Sequence, residues 1–134
     1  MRYLLILLMI QLAACSDEVT QRYATVAAAR EDHLFGRGWL PDILPASATN
    51  IRVKSNLDIN TAEGEFTLGA PEQRTFVKQL SANLTIAGDD RGYGAWARMM
   101  KLKGYTLGTY SINKSIWIFA CHDGQQECQF RMPY

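Results

Sequence analysis

The sequence predicts a small single α+β domain in which an antiparallel sheet packs against two or three helices. Three observations carry this. Apolar and polar residues alternate from Asn50 to Leu57 and again from Glu63 to Leu68, the period of half-buried strands. The C-terminal end holds three more strand-like runs separated by tight turn signals. Helical spacing occurs before the first alternating run and directly after the second.

The chain opens on a targeting segment. Arg2 is a short positive start, Tyr3 to Leu12 is almost unbroken hydrocarbon, and Ala13 and Ala14 are small, the order of a secretory signal. The apolar run falls well short of the roughly 20 residues with which a helix crosses a bilayer. Leu12-Ala13-Ala14-Cys15 resembles the bacterial lipobox, which implies that the Cys15 thiol takes a diacylglycerol and that cleavage falls just before it. Buried acyl chains contribute about 0.8 kcal/mol per methylene, so two or three of them hold a small domain to a membrane. Residues 1–14 are therefore read as a lipoprotein signal peptide, 15–18 as lipid anchor and short tether, and 19–134 as one domain. Ser16, after the cysteine, lacks the aspartate that marks inner-membrane retention in enteric bacteria. The expected location is the envelope, at the outer membrane facing the periplasm if the host is Gram-negative.

Loss of Arg2 with the leader leaves 13 basic and 13 acidic side chains. This balance argues against a nucleic-acid partner, which normally requires a basic excess on one face. It provides no polybasic membrane patch either.

Within the domain, Val19, Tyr23, Val26, Ala27 and Leu34 recur at helical spacing and Gly36 suits a terminator, so helix one is expected over about 18–35. The first strand pair follows, with Ile51, Val53, Ser55 and Leu57 on one face and Gly64, Phe66 and Leu68 facing them. Pairing Val53 with Phe66 sets Lys54 opposite Glu65 on the wet side. Pro71 fits the first turn of a second helix whose buried stripe is Phe76, Val77 and Leu80. Residues 83–94 are ambiguous. Ala95 to Lys103 suit a short helix ended by Gly104, with Trp96, Met99 and Met100 inward. Tyr105 to Ile112, Ser115 to His122 and Glu127 to Met132 form a meander, and its middle run, apolar on both faces, is expected at the sheet centre.

Cysteine arithmetic supports export. With Cys15 consumed by lipid, Cys121 and Cys128 remain. A hairpin tip at Gly124-Gln125 sets Cys121 against Cys128, Phe119 against Phe130 and Trp117 against Met132, so one register places all three pairs. Cross-strand cysteines lie within bridging range, and an oxidising compartment permits the bond. The spacing does not suit a redox pair or a zinc ribbon.

One segment carries a family resemblance. Phe35-Gly36-Arg37-Gly38-Trp39-Leu40-Pro41-Asp42-Ile43-Leu44-Pro45, then Asn56-Leu57-Asp58-Ile59-Asn60 and Gly64-Glu65-Phe66, resemble the YbbD head domain of small bacterial proteins, many of them lipoproteins. The resemblance spans roughly residues 30 to 70 and implies no activity, cofactor or ligand. Leu40 and Leu44 each precede proline and are biased to extended backbone. That favours a chain guided across the domain with Trp39 and Ile43 as anchors. The alternative is a recognition surface built on Trp39, Asp42 and Ser47.

Catalytic and metal patterns are scarce. Only two histidines occur, His33 and His122, and neither has a close carboxylate or cysteine set that completes a metal site. Asp58-Ile59-Asn60 resembles the start of a calcium loop, yet Glu63 occupies the glycine position and Gly69 that of the bidentate glutamate. Glu63 and Glu65 share a face and read as surface ion pairs with Arg52 and Lys54. No cofactor or metal is expected. The favoured function is a non-enzymatic, membrane-anchored envelope lipoprotein that binds a protein or cell-wall partner. The alternatives are an inhibitor or immunity protein against an envelope-directed enzyme, and a hydrolase using the His33, Asp42 and Ser47 neighbourhood.

Overall fold

The computed structural model describes residues 17–82 and 93–133. The leader, Cys15, Ser16 and most of the ambiguous 83–94 stretch lie outside the described residues.

The described residues build one six-stranded antiparallel sheet and three helices. The elements are β1 (Glu18–Thr25), α1 (Val26–Glu31), β2 (Thr49–Asn56), β3 (Thr61–Thr67), α2 (Ala70–Gln79), α3 (Tyr93–Leu102), β4 (Tyr105–Ile112), β5 (Ser115–His122) and β6 (Glu127–Met132). The sheet order is β1-β2-β3-β6-β5-β4, so the N-terminal hairpin and the C-terminal meander join where β3 pairs with β6. The three meander strands fall where the sequence predicts them. Their middle strand β5 lies next to the edge strand β4 rather than at the centre. It is nonetheless buried from Trp117 to Cys121, because helices cover both faces there.

The expected first helix is instead a strand followed by a short helix. Val19 and Tyr23, four apart, share a face in either geometry, so their spacing does not distinguish the two. Pairing decides it: β1 runs antiparallel along β2, with Tyr23 opposite Ile51. Glu18, assigned to the tether, is the first residue of this strand. Thr25 then caps α1, its hydroxyl accepting the Ala28 N–H at 3.2 Å.

The β2–β3 register also differs from expectation, by two residues. Val53 faces Gly64, Lys54 faces Glu63 and Arg52 faces Glu65. A shift of two leaves every side chain on its face, so hydrophobic patterning cannot detect it. The turn fixes the register. The Asn56 side chain accepts the N–H groups of Asp58 (3.0 Å) and Ile59 (3.3 Å), and Asn60 adopts φ 50°. Residues 57–60 thus close tightly and set Asn56 against Thr61. Near the strand's start, Asn50 at φ 50° marks a bulge between Thr49 and Arg52.

Two cores result. On one face α1, the 33–48 segment and α2 cover Ile51, Val53, Phe66, Trp117, Phe119 and Phe130. Phe76 of α2 meets Phe119 edge to face at 5.0 Å and Phe66 at 5.9 Å. On the other face α3 packs Trp96, Ala97 and Met100 against Ile118 and Ala120. Met99, expected inward, is 43% exposed. Gly104 ends this helix at φ 88°, donating its N–H to Lys101. Among the described residues no helix is long and apolar enough to cross a membrane.

Candidate recognition groove

The segment between α1 and β2 is held by short-range polar contacts. Asp32, at the end of α1, accepts Gln21 Nε2 at 3.0 Å and the Tyr23 hydroxyl, and Arg37 comes within 3.8 Å. Burial first, then the hydrogen bond to Asp32 and its negative charge, push the Tyr23 hydroxyl up to about 12. Arg30 stacks its guanidinium 4.0 Å from the Phe35 ring centre and reaches Asp42 at 3.2 Å. A single arginine thereby links α1 to both halves of the segment.

Two Leu-Pro steps shape the rest. The Pro41 carbonyl accepts the Leu44 N–H at 3.1 Å and that of Pro45 accepts the Ala48 N–H at 3.0 Å. These successive turns point Leu40, Leu44 and Ala48 into the core at 2%, 3% and 1% exposure. The anchors are therefore these three. Trp39 and Ile43, expected in that role, only pack partly buried against the core's edge.

Ile43 is left as one wall of a groove. With Pro45 it faces Pro71, Glu72, Thr75, Phe76 and Gln79 of α2 across a cavity of about 330 Å³. Four of the lining side chains are hydrocarbon, and the other three carry one carboxylate, one hydroxyl and one amide. Its far wall is fixed from beneath: Phe76 locks into the aromatic cluster, and the buried Gln73 amide donates to the carbonyls of His122 (3.2 Å) and Glu127 (3.3 Å). Gln73 also touches Cys128 Sγ at 3.7 Å. Cys121 and Cys128 form the expected disulfide, in the expected cross-strand register.

The other sequence candidates fall around this groove. Asp42 is exposed and tied to Arg30, Ser47 is exposed, and Trp39 is half-buried. None of the three lines the cavity. His33 is exposed at φ 58°, and among the described residues no hydrogen bond joins it to Asp42 or Ser47. His122 accepts the Gly124 N–H on Nδ1 at 3.2 Å and meets Tyr105 edge to face. Sequence reasoning missed the groove because its walls are distant in the chain. Proline on both sides, at 45 and 71, is the only local trace.

The opposite face of β1–β3 is a polar pavement. Arg52 pairs with Glu65 (2.9 Å), Lys54 with Glu18 (2.9 Å) and Arg131 with Glu63 (3.5 Å). Hydrogen bonding to the carboxylate partner raises Arg52 and Lys54 above their ordinary values. Glu63 and Glu65 are thus ion-paired as expected, with Glu63 on Arg131 instead of a β2 cation. Arg131 also lies 4.9 Å from the Trp96 ring centre. Among the described residues no three His, Cys, Asp or Glu side chains gather into a metal cluster.

No curated protein and no solved structure matches the chain significantly. Residues 17–67, which build β1, α1, the clamped segment and β2–β3, match the family model of the YbbD head domain; this part of the chain is similar to that family.

Proposed function

We propose that the chain is an acylated lipoprotein of the bacterial envelope whose domain binds a protein partner in the groove between Ile43-Pro45 and α2. Two features support the location. The leader ends in Leu12-Ala13-Ala14-Cys15, and the only other cysteines are joined in a disulfide, a bond that persists outside the cytosol. Lipid at Cys15 would tether the domain at the membrane, facing the periplasm at the outer membrane in a Gram-negative host.

The observation that carries the binding role is the groove itself. Its walls are Ile43, Pro45, Pro71 and Phe76, a lining suited to an aliphatic or aromatic anchor from a protein. A cell-wall glycan would be better served by charged and planar groups. The polar pavement offers such groups, but Arg52, Lys54 and Arg131 there are already ion-paired with carboxylates. The groove also lies toward the sheet end where β2 begins at Thr49 and β3 ends at Thr67, opposite Asp17. A partner approaching from the envelope space would meet it unobstructed by the anchor.

The test is photocrosslinking in the native envelope from a probe at Thr75, followed by mass spectrometry of the captured protein and of the N-terminal peptide. A captured species that is lost with Ile43→Asp, at unchanged melting temperature, supports the reading. Capture indifferent to Ile43→Asp overturns the groove, and an N-terminal peptide without acyl mass overturns the anchor. A hydrolase or toxin as the captured species would make the protein an inhibitor.

A further inference from the structure

The sheet is level at one end and aliphatic there. Thr20, Lys54, Glu63, Arg131, Ile118 and Thr109 form one row across the six strands. Three positions beyond that row, in the same direction, stand Asp17 before β1, Leu57 after β2 and Ile112 at the end of β4. At about 3.3 Å per residue, all three lie some 10 Å past the row. A hydrogen bond confirms the alignment at one side, from Leu57 N–H to Asp17 O at 3.1 Å. The large apolar side chains exposed at this end are Val19 (39%), Leu57 (58%), Ile59 (56%), Ile112 (39%) and Ile116 (39%), with Asp17, Glu18, Asp58, Asn113 and Lys114 exposed among them.

We infer that this end of the sheet is a membrane-contacting edge, in which Leu57 and Ile59 on the β2–β3 turn and Ile112 and Ile116 at the β4–β5 turn enter the bilayer surface beside the lipid on Cys15. The inference rests on the acylation proposed above. Cys15 precedes Asp17 by two residues, a reach of at most about 7 Å, so acyl chains on it hold Leu57 at the headgroup level. The two turns stand three strand spacings apart in the sheet order, about 14 Å. Contact at both turns would stand the strands upright on the membrane. Lys114, between Ile112 and Ile116, suits phosphate headgroups, whereas Asp58, between Leu57 and Ile59, favours the more hydrated depth. The opposite end presents Thr25, Thr49, Thr67 and the Asp123–Gln126 turn, which is polar. Leu102 is the exception that serves as a control: it is 90% exposed and stands near Tyr105, at the end away from Asp17.

The protein, produced with its own leader, is reconstituted into phosphatidylethanolamine–phosphatidylglycerol vesicles containing a phospholipid with a diazirine in its acyl chain. After illumination, adducts are mapped by mass spectrometry, and the N-terminal peptide is weighed in the same sample. The expected adducts fall on residues 57–60 and 112–116, with none on Leu102 or the 123–126 turn. A Leu57→Ser, Ile59→Ser variant should lose the first set while keeping its acyl mass and melting temperature. An acylated protein whose turns carry no adducts, or no more than Leu102 does, overturns the orientation and leaves the anchor standing. A chain without acyl mass overturns the anchor and the orientation together.

Discussion

The side-chain amide of Gln73, on α2, donates to the backbone carbonyl of His122 at the end of β5, 3.2 Å away. It reaches Glu127 O, at the start of β6, equally. One amide therefore closes the mouth of the β5–β6 hairpin from above, at 1% exposure. Replacing it with Leu removes one donor from each carbonyl, although His122 O keeps the Gln125 N–H at 3.1 Å. The expected cost is about 1 kcal/mol, the usual net worth of a hydrogen bond. Urea unfolding should show a lower midpoint with an unchanged slope. Gln73→Glu should be worse, since a carboxylate has no proton to offer those carbonyls.

Gly64 has a different kind of necessity. A β-carbon there would stand 1.9 Å from the Arg52 carbonyl oxygen and 2.7 Å from the Phe130 ring. Phe130, which pairs with Gly64 across the β3–β6 seam, lies over the bare backbone and joins the two halves of the sheet. Gly64→Ala must separate β2 from β3 or displace that ring. A loss of about 1–3 kcal/mol is the ordinary result of overpacking. Because the first clash is with backbone, the upper end is expected. Loss of near-ultraviolet dichroism from Trp117, whose ring lies 5.8 Å from Phe130, should accompany it.

The Cys121–Cys128 bridge closes a short loop of sequence separation 7. In the chain-entropy account such a loop contributes about 2–3 kcal/mol. The Cys121→Ser, Cys128→Ser double variant should fold with a midpoint reduced accordingly, because the hairpin register is also held by Phe119 opposite Phe130. Both cysteines are fully buried, so a reductant acts only on opened molecules. Reduction of the wild type, followed by thiol trapping, should slow as stabilising osmolyte is added. Reduction at a rate indifferent to osmolyte would show that the hairpin opens independently of the core.

The hairpin was legible in the sequence because three side-chain pairs and one turn demanded a single register. The β2–β3 pair was half legible: the inward faces of Val53 and Phe66 were readable, their partners were not, since a two-residue slip preserves both faces. β1 was hidden by the coincidence that Val19 and Tyr23 share a face in helix and strand alike. Gln73 was invisible for the opposite reason, as a glutamine on an amphipathic helix reads as solvent-facing until tertiary structure supplies the carbonyls it satisfies. The groove was equally hidden, because Ile43 and Phe76 meet only after both have packed on the sheet. In the Leu-Pro steps the four-residue spacing was present, and the leucine before each proline, not Trp39 or Ile43, took the buried place.

Tyr23 yields a pH dependence with a definite sign. Its hydroxyl is a donor to Asp32 and is held up to about 12, against an ordinary 10.0. The folded state therefore binds this proton more tightly than the unfolded chain does. Such a group contributes its stability fully below pH 10 and loses it as pH rises toward 12, where the folded molecule too would ionise. The cause is local: burial disfavours the ionised hydroxyl most, its hydrogen bond to Asp32 would be lost, and a second negative charge would stand against Asp32, with Arg37 only partly offsetting it. Wild-type protein should thus lose stability between pH 10 and 12 more steeply than Tyr23→Phe, the two curves converging at the alkaline end. Tyr105, raised by burial and its hydrogen bond to Glu127, remains in both proteins and cancels in the comparison. Equal slopes for the two would show that the hydroxyl of Tyr23 does not hold the 32–37 turn to β1.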